Sequence, residues 1–241
     1  HRRGGTCTAA LRHDRLDQCG PAAPVVDCGG RLVTAGFNDA HIHFLGGSLG
    51  LTQVELSASK SADEVINMTN TFISENPDAK WITGRGWQYT FYASGMPDHE
   101  SMKSIKTDKP IFIRAYDGHS AWANHAALKL AGITRNTRFT GFGEVVFDAS
   151  GEPTGALKES AMDLVGKLIP PPTREEKLNA LRKGLAYAAS LGITSAQNAS
   201  GSAEELSLYL ELLRNNELTL RYAAAFSAGE ETTKNHIENF T

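Results

Sequence analysis

Two histidines separated by one residue, His41 and His43, follow an apolar run and an aspartate in the stretch from Val33 to Gly46. In a β-strand alternate side chains share a face, so His41 and His43 point one way and Ile42 the other. Two neutral imidazoles on one face can grip one divalent cation. Asp39, two residues earlier on that face, can orient a ligand histidine or face the metal pocket. A catalytic zinc takes about three protein ligands and a water, so further donors must come from elsewhere. The alternative is a strand with two polar residues and no metal. The motif strand is expected over Asp39 to Phe44, ending in a tight loop at Gly46-Gly47.

A second group is spread over the middle of the chain. His119 follows Asp117-Gly118 at the end of an apolar strand, where a histidine is easily turned toward a cleft. It can contact substrate or a developing oxyanion, or make a structural hydrogen bond. Asp117, Trp122 and Asn124 can shape the same pocket, although a core tryptophan and a helix N-cap are equally good readings of the last two. Trp87 follows Gly84-Arg85-Gly86, a loop whose glycines allow close backbone approach; it offers an aromatic wall for substrate or a core side chain. His99 and His125 read as solvated or capping residues.

The elements that position these residues follow from periodicity. Ser61 caps an amphipathic helix to Ser74, 81–84 and 110–116 are buried strands, and 124–131 is a short helix. Residues 143–147 and 155 onward read as a hairpin feeding a helix from Leu157 to Leu168. After Pro170-Pro171-Pro172, Thr173 caps a helix to Leu191, followed by a strand from Ile193, a helix over 203–215 and a strand from Leu218 to Phe226. That alternation predicts a parallel sheet or barrel.

A chain of 241 residues with net charge −3 is large enough for a substantial core and too near neutral for a nucleic-acid binder. No run approaches a membrane span, and a homo-oligomer stays open. Cys7, Cys19 and Cys28 match no zinc ribbon and, being odd in number, form no closed disulfide framework. Free thiols make the cytoplasm the default, unless a leader preceded residue 1.

The run from Val26 to His43 resembles the first-strand signature of the amidohydrolase superfamily, and more narrowly its YtcJ-like (amidohydrolase 3) branch. Three further stretches carry the narrower likeness in family order: Gly84-Arg85-Gly86-Trp87, Asp117 to Asn124 with Ala127-Leu128, and Gly151 to Glu159. Ala35 stands where the family usually has proline and Asn38 where it has an aliphatic residue; neither is a presumed ligand. The resemblance implies an α/β fold: a partial TIM (β/α)8 barrel of the metal-dependent hydrolases with an inserted α+β subdomain. Residues 1–32 are then a remnant of an N-terminal β-domain, 33–49 the first barrel strand, 50–172 the insertion, and 173–241 the second and third β/α units.

The activity implied is hydrolysis of a carbon–nitrogen bond, amide or cyclic amide but not peptide, in a small molecule by metal-activated water. The metal is one or two divalent ions, zinc first, with iron or manganese also suited. Lys158, through carboxylation, or Glu159, directly, can bridge metals, yet both also fit the opening of a helix. In the family a later lysine, two more histidines and a proton-accepting aspartate complete the site. None of those stretches occurs before Thr241, and His236 sits in a polar helical pattern that does not replace them. A full barrel takes about 250 residues of its own, so the chain reads as an N-terminal part, inactive in isolation. Two other readings are a non-catalytic regulatory protein on the same fold and a metal that only stabilises structure.

Overall fold

The computed structural model describes residues 29–226. Residues 1–24, Cys7, Cys19, Cys28 and His236 lie outside the described residues. Within them the fold is mixed α/β, built on two sheets.

The first sheet is wholly parallel, with strands β1 (Phe37–Ile42), β8 (Ile193–Gly201) and β9 (Arg221–Phe226) in the order β1-β8-β9. Its helices are α1 (Phe44–Gly50), α5 (Arg174–Ser190) and α6 (Ala203–Arg214). Thr173 and Glu176 form a reciprocal capping box at the start of α5, satisfying two otherwise orphaned backbone donors. Gly192, at φ +75°, ends the helix, and its carbonyl accepts the Phe37 N–H at 2.8 Å, which sets the start of β1. Leu178, Leu181 and Leu185 of α5 pack with Leu208, Tyr209 and Leu212 of α6, Phe44 of α1 and Ala196 of β8. Each such leucine contributes about 1.5–3 kcal/mol on burial.

The motif strand ends earlier than its alternation predicts. β1 stops at Ile42, and Gly46-Gly47 lie inside α1 rather than in a loop. Phe44 is the reason: its ring belongs to the helix-covered core, and its N–H is taken by the Asn198 Oδ1 at 3.0 Å.

The second sheet has six strands, β2 (Val54–Glu55), β3 (Ile82–Trp87), β4 (Ile111–Ala115), β5 (Ser120–Ala123), β6 (Gly143–Phe147) and β7 (Pro153–Glu159), ordered β2-β3-β4-β5-β7-β6. The first three run parallel, and the other pairings are antiparallel. In β4, Ile111, Ile113 and Ala115 face one core, shared with Val65 and Ile66 of α2 (Ala62–Glu75), while Phe112 faces the other, shared with Leu128 of α3 (His125–Leu130). A strand covered on both faces has no polar alternation to show. Ser61 and Asn124 cap α2 and α3 with their side chains.

Two local expectations change here. Residues 157–159 continue β7 instead of opening a helix, because Leu157 is held in the ladder between Ala121 and Val145; a 3-10 turn and the short helix α4 (Asp163–Gly166) come after. The Gly84-Arg85-Gly86-Trp87 stretch is strand β3 rather than a loop. A Cβ at Gly84 would lie 2.4 Å from the Val54 carbonyl oxygen and one at Gly86 2.6 Å from the Ser57 nitrogen, so these glycines admit neighbouring backbone. No helix among the described residues is long and apolar enough to cross a membrane.

Gly184 of α5 tests how tightly α1 is seated. A Cβ there would meet the Ser48 Oγ at 2.0 Å, the Ser48 Cβ at 2.9 Å and the Phe44 Cε1 at 3.3 Å. Helix propensity favours Gly184→Ala by about 1 kcal/mol, whereas overpacking costs about 1–3 kcal/mol. The clash involves the fixed Ser48 Cβ as well as its hydroxyl, so we expect net destabilisation in chemical denaturation, partly relieved by adding Ser48→Gly. Equal or greater stability of Gly184→Ala would show that α1 is loosely held.

Candidate functional site

The histidine pair stands where β1 gives way to α1. The His41 and His43 rings lie 5.6 Å apart between centroids, at 85° to each other. Both side chains are exposed. The Asp39 carboxylate accepts the backbone N–H of His41 at 3.1 Å, so it braces the motif's backbone. His43 Nδ1 lies 2.9 Å from the hydroxyl of Ser200, at the far end of β8. Two imidazoles suit a borderline divalent ion such as zinc, and the donor chemistry therefore fits. Among the described residues no cluster of three or more His, Cys, Asp or Glu side chains could hold a metal; the described chain brings two imidazoles together.

A second polar cluster forms where β4 and β7 end and β5 begins. Gly118, at φ +79°, turns the chain between β4 and β5, and the Asp117 carboxylate accepts the His119 N–H at 3.0 Å. Glu159 has φ +49° and ψ −130°, a conformation that side-chain-bearing residues rarely adopt. Its N–H bonds to the His119 carbonyl at 2.9 Å, and its carboxylate lies 3.2 Å from His119 Nδ1. That hydrogen bond, then the charges of Glu159 and Asp117, raise the pKa of His119. The Tyr89 hydroxyl lies 3.1 Å from both an Asp117 oxygen and the Ser120 Oγ. Its one proton goes to the carboxylate, leaving its oxygen to accept from Ser120. Tyr89 contacts the exposed ring of Tyr116 edge-on at 6.0 Å.

The remaining candidates have structural partners. Trp87 is fully buried, donates from Nε1 to the Ile113 carbonyl at 2.9 Å, and meets Tyr89 edge-on at 5.2 Å; the exposed aromatic is Tyr116. Trp122 is 2 % exposed, and its Nε1 has no hydrogen-bond partner among the described residues. It abuts His99, which stacks on His125 at 3.5 Å and whose pKa is pushed down to about 4, first by burial and then by His125. Asn124 caps α3 and also ties the Ile111 N–H and the Lys109 carbonyl. Lys158 pairs with Glu144 across the hairpin at 2.8 Å, where a carbamate on its nitrogen would face a carboxylate. No contact among the described residues joins His119 to His41 or His43. Sequence reasoning missed Tyr89, Tyr116, Asn198 and Ser200. Only the polar Asn198 and Ser200 at the end of an apolar strand carried a signal.

Comparison with known proteins gives this arrangement a context. The sequence profile described as the amidohydrolase family matches residues 24–239. Protein LONG AFTER FAR-RED 3 of Arabidopsis thaliana is 31 % identical over 82 % of this chain and 36 % of its own length. Putative amidohydrolase YtcJ of Bacillus subtilis is 31 % identical over 78 % of this chain and 35 % of its own. N-substituted formamide deformylase of Arthrobacter pascens is 32 % identical over 60 % and 27 %. An uncharacterized metal-dependent hydrolase from Pyrococcus horikoshii superposes with a TM-score of 0.57 at 25 % identity, over 80 % of this chain and 36 % of that one. The chain thus spans about a third of the length of the first two relatives.

The Glu159–His119 pair can be read by titration. Glu159→Gln keeps an acceptor and removes the charge, so the His119 midpoint should fall toward the ordinary value of about 6.5. NMR of its Cε1 proton gives the midpoint, and Asp117→Asn should lower it less. Because the folded-state pKa is raised, the pair's stabilising effect is present below about pH 6.5 and fades as pH rises through the folded value. An unmoved midpoint in Glu159→Gln would mean that solvent separates the two groups.

Proposed function

We propose that this chain, which belongs to the amidohydrolase family, supplies the first three strands of a (β/α)8 barrel and two ligands of the divalent metal centre of a hydrolase. The observation that carries this reading is the position of His41 and His43. They stand at the C-terminal end of parallel strand β1, beside the end of β8, and barrel enzymes assemble their active sites at that end of the strands. Likeness to a metal-dependent hydrolase structure supports the ion. The formamide deformylase among the relatives supports attack on a carbon–nitrogen bond of a small amide or cyclic amide rather than a peptide.

Zinc is the first choice for two imidazoles, with iron or manganese next. When bound, the ion supplies a water of lowered pKa and polarises the scissile carbonyl. The chain's own residues take the remaining roles. His41 and His43 hold the ion. His119, whose protonated form Glu159 and Asp117 stabilise, donates in that form a hydrogen bond to an oxygen of the substrate. Tyr116 and Tyr89 present the aromatic surface beside it, and Trp87 supports Tyr89 from within the core. This role for His119 requires the second sheet's cluster to face the metal pair across the barrel mouth.

Two protein ligands among the described residues fall short of the about three that a catalytic zinc needs, so the 241-residue chain alone should bind zinc weakly and turn over no amide or ester. Supplied with the strands that complete the barrel, it should hold zinc and hydrolyse N-substituted formamides or related amides. His41→Ala should then lose metal and turnover while staying folded. Elemental analysis and an amide panel read both. Equal zinc in His41→Ala and its parent would remove the metal pair; tight stoichiometric zinc with turnover by residues 1–241 would remove the shared site. Metal without turnover in the completed protein would favour a regulatory role on the same fold.

A further inference from the structure

The end of β8 is unusually polar for a strand that begins Ile-Thr-Ser-Ala: it reads Gln197-Asn198-Ala199-Ser200-Gly201. Asn198 is 1 % exposed, a burial that an amide tolerates only when its donors and acceptor are used. Its Oδ1 accepts the Phe44 N–H at 3.0 Å, and its Nδ2 donates to the Ser200 carbonyl. One buried carboxamide therefore ties the first residue of α1 to the backbone of Ser200. The Ser200 hydroxyl is in turn 2.9 Å from His43 Nδ1, across 157 positions of sequence. His43 precedes the residue that Asn198 grips, so both ends of the Ser200–His43 contact are anchored by the same side chain.

A hydroxyl can accept from or donate to an imidazole nitrogen, and the two cases leave opposite ring nitrogens with a lone pair. Resting on the proposed metal pair, we infer that Ser200, anchored by Asn198, is a positioning residue that accepts the Nδ1–H of His43 and presents Nε2 as the metal-binding nitrogen. Donation by Ser200 to Nδ1 would instead place the ring proton on Nε2, and ligation through Nδ1 would require breaking the Ser200 contact. A ligand histidine whose other nitrogen is held by a fixed acceptor is constrained in both tautomer and ring orientation. The Asp39 carboxylate meets the His41 backbone N–H, whereas the partner that the structure places on the His43 ring is the Ser200 hydroxyl.

The test uses the metal-free 241-residue chain, 15N-labelled at histidine, above the ordinary imidazole pKa, at about pH 8. Two-bond 1H–15N correlations should show His43 with its proton on Nδ1. Ser200→Ala should shift it toward the Nε2–H form and weaken zinc binding, followed at the His41 and His43 ring protons, by about 10–100-fold. Ser200→Thr should retain the parent's pattern, a rescue that a general packing role would not produce. An Nε2–H tautomer in the parent, or an unchanged pattern in a folded Ser200→Ala, would overturn the inference. If Ser200→Ala does not fold, the parent and Ser200→Thr spectra still decide. The tautomer is read without metal, so it stands apart from the zinc content of His41→Ala, which decides the metal pair itself.

Discussion

The geometry of the histidine motif depends on the buried carboxamide of Asn198. An unpartnered buried polar group costs about 1–3 kcal/mol, and Asn198 avoids that cost only while the Phe44 N–H and the Ser200 carbonyl stay where they are. The Phe44 N–H is one of the orphan donors at the start of a helix, so satisfying it from β8 fixes where α1 begins. His43 is left as the residue between strand and helix, with φ −106° and ψ 78°, outside both regular conformations. The Phe44 ring then enters the core beneath α5 and α6, and the absence of a side chain at Gly184 lets α1 approach α5. Core packing and the placement of His43 are thus coupled through one amide.

The second sheet reaches a comparable result by backbone strain. A non-glycine residue at positive φ costs on the order of 1–3 kcal/mol and persists only when its surroundings over-determine it. Glu159 is held by its N–H to the His119 carbonyl, and the next N–H, of Ser160, bonds to the Phe142 carbonyl at 3.0 Å. Gly143, opposite it in the ladder, has φ +128° and would place a Cβ 2.2 Å from the Lys158 carbonyl oxygen, so only glycine lets β6 approach so closely. The outcome is a carboxylate beside a histidine 40 residues away, which raises the pKa of that exposed imidazole.

Elements with a strong local signal were legible in the sequence. The helices behind Ser61 and Thr173 appear where their caps and apolar faces place them, and the β/α alternation after residue 173 yields the parallel pairing of β8 and β9. The His-x-His spacing predicts neighbouring rings, and they are neighbours. Tertiary partners decided the rest. Leu157 to Glu159 carry residues suited to a helix start, but Ala121 and Val145 claim Leu157 for a ladder. The Gly-Arg-Gly-Trp stretch resembles a loop because the close backbone it admits, that of Val54 and Ser57, lies about 30 residues earlier. Ser200 and Asn198 act on His43 and Phe44 from more than 150 positions away, beyond any local pattern.

Alternation gives the two faces of the parallel sheet opposite tasks. Ala196 and Asn198 of β8 are buried on the helix side, where Ile42 of β1 and Tyr222 of β9 also pack. Gln197, between them, is exposed, and His41 is exposed beside Ile42. Parallel sheets are normally covered on both faces. Under the proposed reading the face left uncovered among the described residues is the barrel interior, and the same face presents His41. Covering that face and supplying the metal's missing donors are then one structural requirement, met when further strands close around it. Under that reading the two histidines gain their further donors from the same strands that would close the sheet into a barrel.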